Sequence, residues 1–398
     1  MTDATEKGRP LCLRRIAFGT VLLVVVPLVL LLVLEIFCRV WFAYQVGPSV
    51  LVRGLGARVD SRFEEESVEN HFNVVGEFDK YHPHQSRYGR DPKSKERFKV
   101  RINNWGYRGA DFTAQKPADT IRVATLGSSS TFGFYNRDET TYPRYLEDAL
   151  NQRCPDQRYE VLNLGIPHLP VYNIYHLFIN DGVALQPDIV TLYEGGNDSA
   201  GFYGVQLSRP RPVRDRLGRV KALRMVDYVL SFRSVFYQFC KSVFEERDNQ
   251  FTREEVERHA EGKSEDFLTC VAKIRAVCIE HNARFIVATQ QINSSGYRLT
   301  EDAAKARLTY EDECRYVLDK IERGERVSRY EANLYVHHGM MRDLRAWAAE
   351  NDVPLADAIL ALDHRREVLV SWLHLSPEGN RMIAGVLAET ILADGCTQ

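Results

Sequence analysis

The sequence predicts a three-layer α/β/α domain around a central, mostly parallel five-stranded sheet, preceded by one amino-terminal transmembrane helix. Three observations predict this arrangement. From Thr120 onward, short near-continuous apolar runs alternate with segments of helical spacing, the pattern of strands covered on both faces by crossover helices. The first three of those runs each close on glycine, at Gly127, Gly165 and Gly195-Gly196, as strand-to-helix turns do. Near the amino terminus, Ile16 to Leu34 form 19 consecutive uncharged residues, nearly enough to cross a hydrocarbon core.

Composition narrows the function classes. The 398 residues are 44% apolar and 27% charged, which excludes a disordered chain, a collagen-like chain and a multi-span membrane protein. A formal net charge of −2 offers no global basic field for nucleic acid. The eight cysteines are too sparse for a disulfide-stapled mini-fold, and none forms a Cys-x-x-Cys pair. After Cys12 and Cys38, the remaining Cys154, Cys240, Cys270, Cys278, Cys314 and Cys396 permit disulfides without assigning pairs.

Lys7, Arg9, Arg14 and Arg15 precede the apolar run, so residues 1–15 are expected on the cytoplasmic side. Ile36 to Phe42 extend the run, giving a span over 16–42, with Trp41, Phe42 and Tyr44 as an aromatic belt at the far interface. A cleaved signal peptide would need a shorter apolar run and a small-residue cleavage site. Glu35, Phe37, Arg39 and Trp41 occupy that stretch, and Phe37 is too bulky to precede a lipidated Cys38. The segment therefore reads as a retained signal-anchor, with the rest exported. Residues 43–119 read as a linker and accessory segment, and 120–398 as the main domain.

Within that domain, Ile121–Leu126, Glu160–Leu164, Asp188–Tyr193, Ala283–Thr289 and Val353–Ala356 read as the five strands. Tyr142–Gln152, Val171–Ala184, Lys263–Asn282, Leu334–Glu350 and Pro377–Leu392 read as helices. Two insertions interrupt the alternation. The first, about 201–262, carries a basic stretch (Arg209–Arg219), read as a solvated loop, and an aromatic-rich piece (Tyr228–Phe244). The second, 293–329, is charged and mostly helical. Ligands in such folds bind at the carboxyl ends of the strands, so the strand ends are where chemistry is expected.

Strand one ends in Gly127-Ser-Ser-Ser-Thr-Phe-Gly133. This turn exposes a hydroxyl at the sheet edge, yet it matches neither a phosphate-binding loop nor the Gly-x-Ser-x-Gly elbow. Strand two ends at Gly165, where a backbone N–H can face a ligand with no side chain intervening. Strand three ends in Gly195-Gly-Asn-Asp198, and Asn197 there can aim an amide at a developing oxyanion. His374 lies in Trp372-Leu-His-Leu-Ser-Pro-Glu-Gly379, just before the closing helix.

In this order the four segments resemble the blocks of the SGNH (GDSL-type) hydrolases, over about Ile121 to Leu392. The segment Ile102-Asn-Asn-Trp-Gly-Tyr-Arg-Gly109 is similar to a stretch common in membrane-anchored members. The resemblance implies a serine esterase. Ser129 would be the nucleophile and His374 its base. Ser129, Gly165 and Asn197 would form the oxyanion hole. The family's last block is Asp-x-x-His, but the acid position here is Ser371. Three readings follow: a Ser129–His374 dyad, a substitute acid such as Asp363 or Glu367, or a non-catalytic envelope binding protein on the same scaffold. Water as acceptor gives an esterase, and a sugar hydroxyl gives an O-acyltransferase. The compartment and the resemblance suggest an ester on an envelope glycan or lipid as substrate. No metal and no organic cofactor is called for: His82, His84, His337 and His338 lack companion ligands at suitable spacing. Asn293-Ser-Ser is a formal glycosylation acceptor for a eukaryotic secretory route.

Overall fold

The computed structural model describes residues 21–46, 80, 81, 83, 84, 87–92, 94, 96–200, 230, 234–237, 240, 250–295 and 308–396. These fall into two compact units: residues 21–46 with those between 230 and 240, and the rest.

The first unit holds helix α1 (Val26–Val46), entered through a π turn over Val21–Val25. Leu23–Trp41 is long and apolar enough to cross a membrane. Its leucine and valine side chains are exposed, Leu30 for example by 57%, as suits lipid rather than a protein core. Glu35 is the acidic residue of this helix. It pairs with Arg39 one turn on at 2.7 Å and accepts hydrogen bonds from Ser234 Oγ, Val235 N–H and Phe236 N–H at 2.7–3.0 Å. A carboxylate in an apolar run is tolerable because these partners satisfy it. Residues 16–20 of the expected span, the basic stretch Arg209–Arg219 and most of Tyr228–Phe244 lie outside the described residues.

The second unit is built on five parallel strands: β1 (Thr120–Gly127), β2 (Arg158–Asn163), β3 (Ile189–Tyr193), β4 (Arg284–Ala288) and β5 (Leu355–Ala356). Their order is β2-β1-β3-β4-β5. Every residue of β3 is buried, which explains its unbroken apolar sequence. β5 is shorter than expected. Pro354 ahead of it has no N–H to donate, although its carbonyl still accepts from Val287 N–H at 3.1 Å.

Alternate residues of each strand feed two cores. Ala124, Leu126, Val190 and Leu192 pack with α3 (Val171–Leu177), α4 (Lys263–Glu280) and α6 (Arg329–Glu350) on one face. Val123, Ile189 and Ile286 pack with α2 (Tyr142–Arg153) and α7 (Pro377–Ile391) on the other. α5 (Tyr310–Glu322) joins the first core through Tyr310, Cys314 and Val317. α6 starts five residues before the expected Leu334, because Ser328 and Glu331 form a capping box. α3 stops at Leu177 and continues to Leu185 only as a π turn and a 3₁₀ turn. A disulfide joins Cys154, the cap of α2, to Cys396 beyond α7.

Residues 97–112 also belong to this unit. Tyr107 is fully buried in the first core, and Asn103 fixes its own turn by accepting from Trp105 and Tyr107 N–H at 2.9 and 3.0 Å. This stretch, expected as part of a linker and accessory segment, braces the active-site turn.

Candidate active site

β1 ends at Gly127, and the chain turns at once into a four-residue helix, Ser129–Phe132, closed by Gly133 in the left-handed conformation (φ 80°). Three restraints hold this turn. The Ser130 hydroxyl donates to Leu373 O at 3.1 Å and Asn136 Nδ2 to Leu375 O at 2.8 Å. The buried Arg108 guanidinium donates to the carbonyls of Phe132, Gly133 and Asn136 at 2.5–2.9 Å, and to Asp138 at 2.8 Å. The first two bonds tie the serine turn directly to the loop that carries His374.

That loop is a narrow excursion between a bridge at Leu369 and Leu375 and the start of α7. Val370 N–H donates to His374 O at 2.8 Å, and Ser376 caps α7 by accepting from Gly379 N–H. Asn293 holds its far side, with Nδ2 on Ser371 O at 3.0 Å and its N–H on Trp372 O at 2.8 Å. Behind Asn293, the buried Arg366–Glu313 ion pair anchors Ile292 O and the Ser294 N–H. Asn293 is fully buried. It is therefore no glycosylation site in the folded protein, contrary to the sequon.

The result is a close pair: His374 Nε2 lies 2.8 Å from Ser129 Oγ. Phe134 stacks on the imidazole at 5.4 Å and Tyr135 meets it edge-on at 5.0 Å. Burial, aided by nearby His168, pulls the His374 pKa down to about 3. The imidazole is thus neutral at physiological pH, with a proton on one ring nitrogen and a lone pair on the other. Ser129 and His374 open into a cavity of about 800 Å³. Phe134, Tyr135, Tyr172 and Trp372 give it ring surfaces, and Lys263, Asp266 and Lys273 of α4 give it charge. Asp198 lines it as well, but both its oxygens accept from Val171 N–H at 3.1–3.2 Å, a capping role for α3. Burial and the neighbouring Glu194 push its pKa up to about 8. Lys263 donates to Asp198 O at 3.1 Å, and burial lowers its pKa.

Residues 125–382, which span the serine turn, the Asn197 segment and His374, match the model of the GDSL-like lipase/acylhydrolase family. The chain belongs to that family. This GDSL-type protein is a serine hydrolase of the esterase and acylhydrolase class. Its fold is similar to that of a G-D-S-L family lipolytic protein from Desulfitobacterium hafniense (12% identity, 68% of this chain and 99% of that one, TM-score 0.38). It is also similar to the acetyl xylan esterase AlAXEase (15% identity, 67% and 98% covered, TM-score 0.39). A third such structure is the acetylxylan esterase Axe2 from Geobacillus stearothermophilus (12% identity, 70% and 96% covered, TM-score 0.39). A comparison with curated protein sequences finds no match.

Of the residues expected in the oxyanion hole of this GDSL-type hydrolase, Gly165 has its N–H engaged elsewhere. Gly165 N–H donates to Asn163 Oδ1 at 3.0 Å rather than facing the cavity. The glycine is needed for another reason: a Cβ there would lie 2.3 Å from Phe132 N, in the Ser129–Phe132 helix. Asn197 lines the cavity, with one amide hydrogen on Leu169 O at 3.1 Å, which leaves the second for a ligand. The N–H of Ser129, in the first turn of its helix, has no intrahelical partner.

Neither expected substitute acid reaches His374. Asp363 accepts from Tyr310 N–H at 2.9 Å and Gln291 Nε2 at 3.1 Å, while Glu367 pairs with Arg365 at 2.7 Å. The group on Nδ1 is Ser371 Oγ, at 2.7 Å. Of the weighed metal ligands, His337 is buried against the Tyr310 hydroxyl at 2.7 Å and His338 meets Glu311. His82 lies outside the described residues. The sequence reading missed the flanking rings, although Phe134 and Tyr135 directly follow the serine turn. It also missed the site roles of Asn293, read only as a sequon, and of Arg108, read only within the Ile102–Gly109 stretch, because their partners are far along the chain.

Proposed function

We propose that this chain is a membrane-anchored carboxylic ester hydrolase that works through a Ser129–His374 dyad. The observation that carries the reading is the 2.8 Å contact between Ser129 Oγ and His374 Nε2 at a large cavity. Ser129 Oγ attacks the ester carbonyl as its proton passes to Nε2. The Ser129 N–H and the second Asn197 amide hydrogen stabilise the oxyanion, each such donor being worth roughly 3 kcal/mol in the transition state. His374 then protonates the leaving alkoxide, and water, activated by the same ring, releases the acid. Gly165 N–H joins the hole only if Asn163 swings away.

The substrate we favour is an O-acyl sugar of an envelope glycan. Phe134, Tyr135, Tyr172 and Trp372 provide flat apolar faces that suit sugar rings, and the α4 charges provide hydrogen-bond partners beside them. The disulfide Cys154–Cys396 supports placing the domain on the oxidising side of the membrane. The four basic residues ahead of the apolar run support an inward amino terminus.

The test uses the full chain in detergent micelles with p-nitrophenyl acetate, comparing wild type, Ser129→Ala and His374→Ala. Turnover is expected to fall to background in both variants. Turnover that survives Ser129→Ala would overturn the assignment. Release of acetate from acetylated xylan-type and acetylated aminosugar oligomers would then rank substrates.

A further inference from the structure

We infer that Ser371 holds His374 in the tautomer that carries its proton on Nε2, so that the resting dyad faces Ser129 with a donor instead of a lone pair. The inference rests on the Ser129–His374 reading and concerns how that site is restrained.

The argument is a count of hydrogens and lone pairs. Ser371 Oγ has three neighbours: His374 N–H at 3.0 Å, Leu373 N–H at a longer 3.4 Å, and His374 Nδ1 at 2.7 Å. The two backbone groups can only donate, and they take the two lone pairs of the hydroxyl. The one hydrogen of Ser371 is then left for Nδ1, the third and closest neighbour. Ser371 is buried, at 3% exposure, so a hydroxyl hydrogen pointing elsewhere would be left without an acceptor. When Nδ1 accepts, the neutral ring keeps its proton on Nε2. Ser129 Oγ, 2.8 Å away, then accepts from the ring rather than giving up its proton to it.

An aspartate at this position does the opposite. It can only accept, so it fixes Nδ1–H and frees Nε2 as a base. Ring orientation does not depend on Ser371 alone, because Phe134 and Tyr135 also flank the imidazole. Ser371 is thus a positioning residue that sets where the proton sits more than where the ring lies. The reactive form is reached when the Ser371 hydroxyl turns away, Nδ1 gains a proton and Nε2 loses one. No net proton is taken up. In serine hydrolases, a neutral partner that imposes the wrong tautomer costs about ten-thousandfold in kcat.

The experiment uses the full chain in micelles and two readouts. Long-range ¹⁵N–¹H correlation on ¹⁵N-histidine protein, with His374 assigned by difference against His374→Gln, reports the tautomer. The rate of fluorophosphonate labelling of Ser129 and kcat/KM on p-nitrophenyl acetate report reactivity. Wild type is expected to show Nε2–H and Ser371→Asp Nδ1–H. Ser371→Asp is expected to label at least tenfold faster and to gain an acid limb in its pH–rate profile, because the carboxylate favours the imidazolium. Ser371→Ala, which removes the restraint while the flanking rings stay, is expected to match or exceed wild type. An Nδ1–H pattern in wild type overturns the inference. So does a wild-type rate above that of both Ser371→Ala and Ser371→Asp, which would make the serine a productive orienter. No labelling of Ser129 in any form, with Nε2–H still observed, sinks the hydrolase site but leaves the tautomer assignment standing.

Discussion

Replacing Arg108 by methionine tests how the segment ahead of the sheet supports catalysis. The Arg108 side chain is 1% exposed and its guanidinium serves three main-chain carbonyls, those of Phe132, Gly133 and Asn136, besides Asp138. Methionine fills most of the volume and donates nothing. Each carbonyl left buried without a donor costs roughly 1–3 kcal/mol, the lower end where a neighbouring donor or water can reach it. Asp138 is about a third exposed, so its lost ion pair adds less than about 1 kcal/mol. Gly133 O keeps the Asn136 N–H at 2.9 Å, so the Phe132 and Asn136 carbonyls carry the loss, expected at roughly 2–6 kcal/mol and measured by urea unfolding of the full chain in micelles. Arg108→Lys, which keeps charge but not the fork of donors, should lose about half as much. Activity should fall at least tenfold under conditions where the variant is still folded. The same carbonyls end the Ser129–Phe132 helix and lead into Phe134 and Tyr135, the rings against His374. A loss below about 1 kcal/mol with unchanged kcat/KM would refute the claim that this guanidinium organises the turn.

Three further outcomes are expected. Gly165→Ala places a Cβ 2.3 Å from Phe132 N, a backbone atom that cannot swing aside, so thermal unfolding should show a loss of roughly 1–3 kcal/mol and kcat/KM should fall. The double variant Cys154→Ser/Cys396→Ser opens a loop with a sequence separation of 242; it should lower stability by up to about 5 kcal/mol in urea titrations, and dithiothreitol should have the same effect on wild type but not on the variant. Acid should destabilise the fold: burial pulls His337, like His374, from 6.5 down to about 3. The unfolded chain then binds protons that the native state refuses, so stability is full above pH 6.5 and falls as pH drops towards 3. His337→Gln should narrow the stability difference between about pH 7 and pH 4.5 by roughly 2–3 kcal/mol, and an unchanged difference would show that the histidine is not desolvated.

The sequence by itself determined the sheet, its parallel sense and the chain positions of the serine, asparagine and histidine segments. These features are local or periodic: Asp188–Tyr193 reads as a strand covered on both faces because its apolar run is nearly unbroken, and a turn such as Gly127–Gly133 announces itself by its glycines. It also marked Ser371 as the departure from the family's last block. Only the tertiary structure shows what faces His374 in place of that acid, Ser371 Oγ at 2.7 Å from Nδ1. Whether Asp363 or Glu367 replaces the missing acid depends on where residues a few positions away point, and both turn to other partners, Asp363 to Tyr310 and Glu367 to Arg365. Gly165 was legible as special, but the reason lies in its approach to Phe132, more than thirty positions back along the chain. Arg108 and Asn293 were invisible as site residues because a hydrogen bond to a distant carbonyl leaves no pattern in the sequence around the donor. Periodicity reports which face of an element meets the core, whereas the proton on an imidazole is set by one hydroxyl and two backbone N–H groups that only the folded loop brings together.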